Sequence, residues 1–184
     1  MITSTIKMTA EQYLLLKEDP PGVRLELVDG EIAVSPSPTP GHSRVVSQLG
    51  AMLIAFVETR GLGEVLLDVD TIFGEYDVRR PDILYFSKGR TNLITEKRLL
   101  GKPDLAVEVV SPSSTKTDKA DKFKQYAAGG VKFYWIVDPA KESFDAYLLK
   151  ARRYLSAAHG QSDDVISAPP FDALKIPLNK LWWK

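Results

Sequence analysis

The chain has 184 residues, 44% hydrophobic and 26% charged, enough for one domain with a sizeable core and ordinary for a soluble globular protein. It contains no cysteine, which excludes disulfides and thiolate metal sites. No apolar run approaches the ~18 residues of a membrane span and the N-terminus lacks a signal-peptide core, so a cytoplasmic protein without membrane contact is expected. Formal charge is zero, yet residues 1–92 hold 9 Lys/Arg against 13 Asp/Glu and residues 93–184 hold 15 against 11. That balance argues against a strongly basic, nonspecific nucleic-acid binder.

Thr9 to Lys17 reads as a short Thr-capped helix stopped by Pro20-Pro21-Gly22. Arg24 to Ser35 is a hairpin signal, with Asp29-Gly30 between alternating runs, as a type I′ turn requires. Ser35 to Gly41 is a Pro-rich loop. From His42 to about Arg60 the apolar positions 45, 46, 49, 52, 53, 56 and 57 predict an amphipathic helix ended by Gly61-Leu62-Gly63. Glu64 to Phe73 reads as one or two strands, Ile83 to Phe86 as another, and Asp104 to Val110 as a strand buried on both faces. A helix over about 115–128 closes at Gly129-Gly130, and a strand over 131–137 stops at Asp138-Pro139. Ser143–Leu149 and Arg152–Ala157 look like a second hairpin, and residues 161–184 form a C-terminal tail. Trp182 and Trp183 are expected to anchor that tail to the domain or to a second subunit. The strand–helix–strand run over 104–137 predicts a crossover in a mixed sheet, within a single α/β domain over 1–184.

Two of these strands carry acids, Asp82 after Pro81 and Glu108 inside Leu105–Val110. An ionised carboxylate on a buried strand is unfavourable unless paired, hydrogen-bonded or metal-bound. The helix that follows Glu108 bears Asp118, Lys122 and Tyr126 at i, i+4, i+8, on one face. Glu108 lies roughly 7 Å below its strand's upper end, and Lys122 lies roughly 10 Å down the returning helix, so the lysine can overhang the glutamate. Asp104 also follows a proline, but it sits roughly 13 Å along the strand from Glu108, too far for two ligands of one ion at about 2.1 Å each. Asp82, on another strand, is free to lie beside Glu108. Two carboxylates and a lysine describe a metal-assisted hydrolytic site.

Glu26-Leu-Val-Asp-Gly-Glu31, Pro81-Asp82-Ile-Leu, Asp104-Leu-Ala-Val-Glu108-Val-Val-Ser-Pro112, the Asp118/Lys122/Tyr126 helix and Tyr134-Trp-Ile-Val-Asp-Pro139 together resemble the Uma2 family over about residues 8–160. That large bacterial group is similar to the PD-(D/E)XK, restriction-endonuclease-like superfamily. The resemblance implies a mixed β-sheet flanked by helices with an N-terminal β-hairpin. It also implies phosphodiester hydrolysis, on nucleic acid and by preference DNA. Asp82 and Glu108 then hold Mg²⁺ or Mn²⁺, with the Val109 carbonyl as a third candidate ligand. The superfamily's lysine would fall at Val110, so its role passes to Lys122. Glu26 matches an acidic hairpin position, assigned to a second ion or to orienting a water, and His42 matches a histidine at the start of the long helix.

Each residue also has a plainer reading. Asp82 caps a turn after Pro81. Glu108 forms an ion pair with Lys122 and holds no metal, or Lys122 is solvated like its neighbours Lys116, Lys119 and Lys124. Asp118 suits a helix first turn, Tyr126 a core, His42 the surface, and Glu26 an ordinary hairpin. The competing functions are a nuclease fold that has become a nucleic-acid or protein interaction module, and a homo-oligomer whose tail completes a neighbour.

Overall fold

The first hairpin closes as its sequence requires: Asp29 and Gly30 both adopt positive φ, 49° and 81°, between strands β1 (Val23–Val28) and β2 (Glu31–Pro36). The structure is a computed structural model and describes residues 7–16, 19–111 and 116–183, for 116–119 the backbone alone. Helix α1 spans only Ala10–Tyr13, capped by Thr9 with Gln12 in a reciprocal capping box. It is shorter than expected: Ala10, Tyr13 and Leu14 pack inward, whereas Leu15 and Leu16 beyond them are left exposed.

Helix α2 (Pro40–Arg60) starts at a Thr39 cap, carries Pro in its first turn and ends at Gly61 in the left-handed conformation. The run expected as one or two strands divides at Asp68, whose φ is 58°. Strand β3 (Gly63–Leu67) and strand β4 (Thr71–Gly74) therefore enter different sheets. The three-residue strand β5 (Asp77–Arg79) is too short to show a periodicity. Strands β6 (Ile83–Ser87), β7 (Leu105–Val109), β8 (Phe133–Asp138), β9 (Ser143–Lys150) and β10 (Arg153–Gln161) complete the main sheet, with helix α3 (Lys116–Ala128) between β7 and β8.

The small sheet has the order β2-β1-β5-β4, and the main sheet β10-β9-β8-β7-β6-β3. Only β7 and β8 run parallel, the pairing that a helical crossover permits. Alternation along β7 sends Leu105, Val107 and Val109 into the core beneath α2, with Leu49, Leu53 and Trp135. Ala106 points the other way, into a cluster with Tyr126 and Tyr134 under α3. Glu108 shares the parity of Ala106 and so emerges on the α3 side.

The C-terminal region is not a simple tail. Strands β11 (Val165–Ala168) and β12 (Phe171–Pro177) pair with each other, and a 3₁₀ turn covers Leu178–Lys180. Ile166, Phe171, Ile176, Leu181 and Trp182 join the core beneath α2. No helix among the described residues is long and apolar enough to cross a membrane.

Candidate active site

The ends of β1, β6 and β7 converge with α2 and α3 around a cleft of about 260 Å³, lined among others by Arg24, Glu26, His42, Asp82, Glu108 and Lys122. In the β6–β7 register Ile83 faces Val107, so Asp82, one residue before β6, stands opposite Glu108. Asp82 Oδ2 accepts the Val109 N–H at 2.7 Å and lies 3.2 Å from His42 Nε2. Its Oδ1 accepts from Arg24 at 3.1 Å. The Thr39 cap, bonded to the His42 amide, fixes the first turn of α2 and delivers that imidazole to the strand end. Burial by itself would raise the Asp82 pKa; the His42 contact, the Val109 N–H and Arg24 outweigh it and hold the carboxyl below its ordinary value.

Glu108 has a different environment. Lys122 Nζ donates to Oε2 at 2.9 Å, and the Tyr126 hydroxyl donates to Oε1 at 2.5 Å. Both donors come from successive turns of α3, as their i, i+4 spacing dictates. Burial dominates at Glu108; Lys122 opposes it, Asp82 and Glu26 reinforce it, and the pKa is pushed up to about 7. Burial, with Glu108 alongside, also raises Tyr126 well above its ordinary value, so its hydroxyl remains a donor.

Glu26 stands on the face of β1 shared with Arg24, opposite Leu27, which is packed with Val78. Its Oε2 accepts from Arg79 at 3.1 Å, its Oε1 takes the Arg80 N–H at 2.9 Å, and Lys122 Nζ is 3.7 Å away. Lys122 thus sits between two carboxylates, with its side chain only 13% exposed, and is not a solvated helix lysine. Glu26 is buried rather than an ordinary hairpin residue, and His42 is buried rather than on the surface. Asp104 is structural: it accepts the Ser87 N–H and pairs with Arg90. The side chain of Asp118 lies outside the described residues.

Sequence reasoning passed over Arg24 and Arg79. Alternation along the hairpin places Arg24 with Glu26 on the face away from Leu25 and Leu27, and a buried acid requires a cation, but neither says which acid Arg24 meets.

Among the described residues no group of three or more His, Asp or Glu side chains is disposed to hold a metal ion. The donor set nonetheless fits a hard cation. A carboxylate offers about four lone-pair sites, and Glu108 uses two, on Tyr126 and Lys122. Burial first, then Asp82 and Glu26, raises its pKa despite Lys122, so a further cation beside it would favour the ionised form. Mg²⁺ requires only one or two carboxylates and retains waters.

Residues 10–179 match the Uma2 family, described as "Putative restriction endonuclease". The chain belongs to the Uma2 family. The match runs beyond residue 160 and takes in β11 and β12, consistent with their place in the core. A crystal structure from Anabaena variabilis, described as a "putative nuclease belonging to DUF820", is 22% identical, with a TM-score of 0.78 over 95% of this chain and 97% of its own. At that identity the likeness concerns the fold, a mixed α/β architecture. No curated protein matches this Uma2 chain. The family match supports a nuclease.

Proposed function

We propose that this Uma2 chain is a cytoplasmic, divalent-metal-dependent nuclease that hydrolyses DNA phosphodiester bonds. The observation that carries the reading is Lys122 Nζ at 2.9 Å from Glu108, within the cleft that Asp82 also lines. A lysine absent from the strand is thereby supplied to the same end of the sheet by the next helix. Asp82 and Glu108 would hold Mg²⁺ or Mn²⁺, with the Val109 carbonyl as a further candidate ligand. The ion supplies Lewis acidity and a more acidic water.

The protein's own groups have separate tasks. Arg24 and His42 keep Asp82 ionised and oriented. Tyr126 fixes Glu108 by one oxygen, so the other turns toward Lys122. Lys122 offsets charge that develops on phosphate oxygens, and Glu26 limits where its ammonium can rest. The charged residues lining the cleft are three acids and two cations, Arg24 and Lys122. An anionic phosphodiester is disfavoured there until a divalent cation reverses the balance.

Cleavage of mixed DNA substrates in Mg²⁺ and Mn²⁺ tests this, with wild type compared with Asp82→Asn, Glu108→Gln and Lys122→Met. Each variant should lose at least about 100-fold in rate, in line with removal of a transition-state electrostatic group. A wild type that cleaves nothing and gains no thermal stability from either ion would leave the interaction-module reading in place.

A further inference from the structure

The chain's end builds a second feature beside the cleft. Trp183 is 68% exposed, whereas Trp182 is buried. Arg44, from α2, donates to the carbonyls of Trp182 at 3.1 Å and Lys180 at 3.4 Å. These bonds hold its guanidinium 5.3 Å from the centre of a Trp183 ring. Trp183 lines two hollows: one of about 390 Å³ with Arg44, Asn179 and Lys180, and one of about 460 Å³ with His42 and Ser111. His42 and Ser111 also line the Asp82–Glu108 cleft, so the larger hollow shares its wall with that cleft.

Among the described residues two buried side-chain polar atoms lack a hydrogen-bond partner, His42 Nδ1 and Asn179 Oδ1. Each belongs to a residue lining one of these hollows. Asn179 Oδ1 is an acceptor. Buried polar atoms are normally satisfied, so this side of the fold keeps hydrogen-bonding capacity that its own residues leave unused.

We propose that Trp183, Arg44 and Lys180 form a stacking subsite for an unpaired nucleotide flanking the phosphodiester in the cleft. The substrate is then nucleic acid with a single-stranded or flipped-out position. This rests on the nuclease reading. A nucleobase brings a π face for the indole, and its phosphate suits Arg44 and Lys180. Lys141, the cation on the larger hollow, is already paired with Asp138 at 3.2 Å, which favours the Arg44–Lys180 side for the phosphate. Inside a paired duplex a base cannot present its face without unstacking.

The test is fluorescence anisotropy at fixed salt in Ca²⁺, using a labelled single strand of about 15 nucleotides, within the span of stacking-type sites, and a blunt duplex of the same sequence. Trp183→Ala should lower the ratio of single-strand to duplex affinity about tenfold, as loss of one base–aromatic stack does, and Trp183→Phe should restore most of it. An unchanged ratio in Trp183→Ala, while wild type binds and cleaves DNA, overturns the subsite and leaves the nuclease intact. A wild type that neither binds nor cleaves either probe overturns both. A shift of Trp183→Ala to a smaller species on size exclusion, with both affinities falling together, assigns this face to a second copy and overturns the subsite as well.

Discussion

Asp82 and Glu108 are both carboxylates at one end of the sheet, yet their surroundings drive them in opposite directions. Asp82 receives a backbone N–H, an imidazole and a guanidinium, whereas Glu108 has one ammonium and one phenol. Asp82→Ala would leave the buried Val109 N–H without its partner and Arg24 with Asp68 alone, and it should destabilise the protein by about 1–3 kcal/mol in urea melts. Asp82→Asn, which keeps the shape, should cost less and is the better probe of chemistry. The sign at Glu108 is the reverse of a usual carboxylate. Its folded pKa lies near 7 against an ordinary 4.5, so the folded state binds the proton more tightly. Its contribution to stability is full below about pH 4.5 and is lost as pH rises to about 7. Urea melts in chelator should show this decline, by at most about 3 kcal/mol, and Glu108→Gln should remove it. Tyr126→Phe deletes only the hydroxyl that fixes Glu108, and should lower stability by about 1 kcal/mol.

At the scale of elements, two turns show how local chemistry sets register. Ala151 and Arg152 close the β9–β10 hairpin with φ of 47° and 61°, a conformation that suits Asn-Gly far better than these residues. Replacing the pair by Asn-Gly should raise stability by about 1 kcal/mol, read as a shift in the urea midpoint with unchanged slope. Gly63 is the opposite case. It sits at φ 147°, and a Cβ there would come within 2.0 Å of the Phe86 carbonyl oxygen. Gly63→Ala should therefore separate β3 from β6 and lower the thermal midpoint, with far-UV circular dichroism showing the loss of strand.

Across the whole molecule, the two halves of the chain have opposite net charge, and the cleft draws on both. Arg24, Glu26 and Asp82 come from the acidic half, Glu108 and Lys122 from the basic half. The last residues also serve the whole. Trp182 packs in the main core and donates its indole N–H to the Ser162 carbonyl at 2.8 Å. Trp182→Ala should cost about 3–5 kcal/mol in urea melts, whereas Trp183→Ala, at an exposed position, should change stability by no more than about 0.5 kcal/mol. Of the two tryptophans expected to anchor the tail to the domain or to a second subunit, Trp182 packs into the domain and Trp183 faces outward. Their side chains are identical, and only the path of the chain distinguishes them.

What the sequence determined by itself is what depends on near neighbours along the chain. The Asp29–Gly30 turn, the α2 and α3 periodicities and the run of β7 follow from local steric preference and alternation. So does the meeting of Lys122 and Tyr126 over Glu108, because one short strand–helix unit sets that geometry. The burial of Glu26 and His42, the roles of Arg24 and Arg79, and the entry of β11 and β12 into the core were decided only by tertiary structure. Each of these joins segments far apart in sequence: Arg24 meets Asp82 across 58 residues, and Arg44 reaches the Trp182 carbonyl across 138. A buried charge must find its partner in space, and spacing along the chain carries no record of which distant cation the fold will bring there.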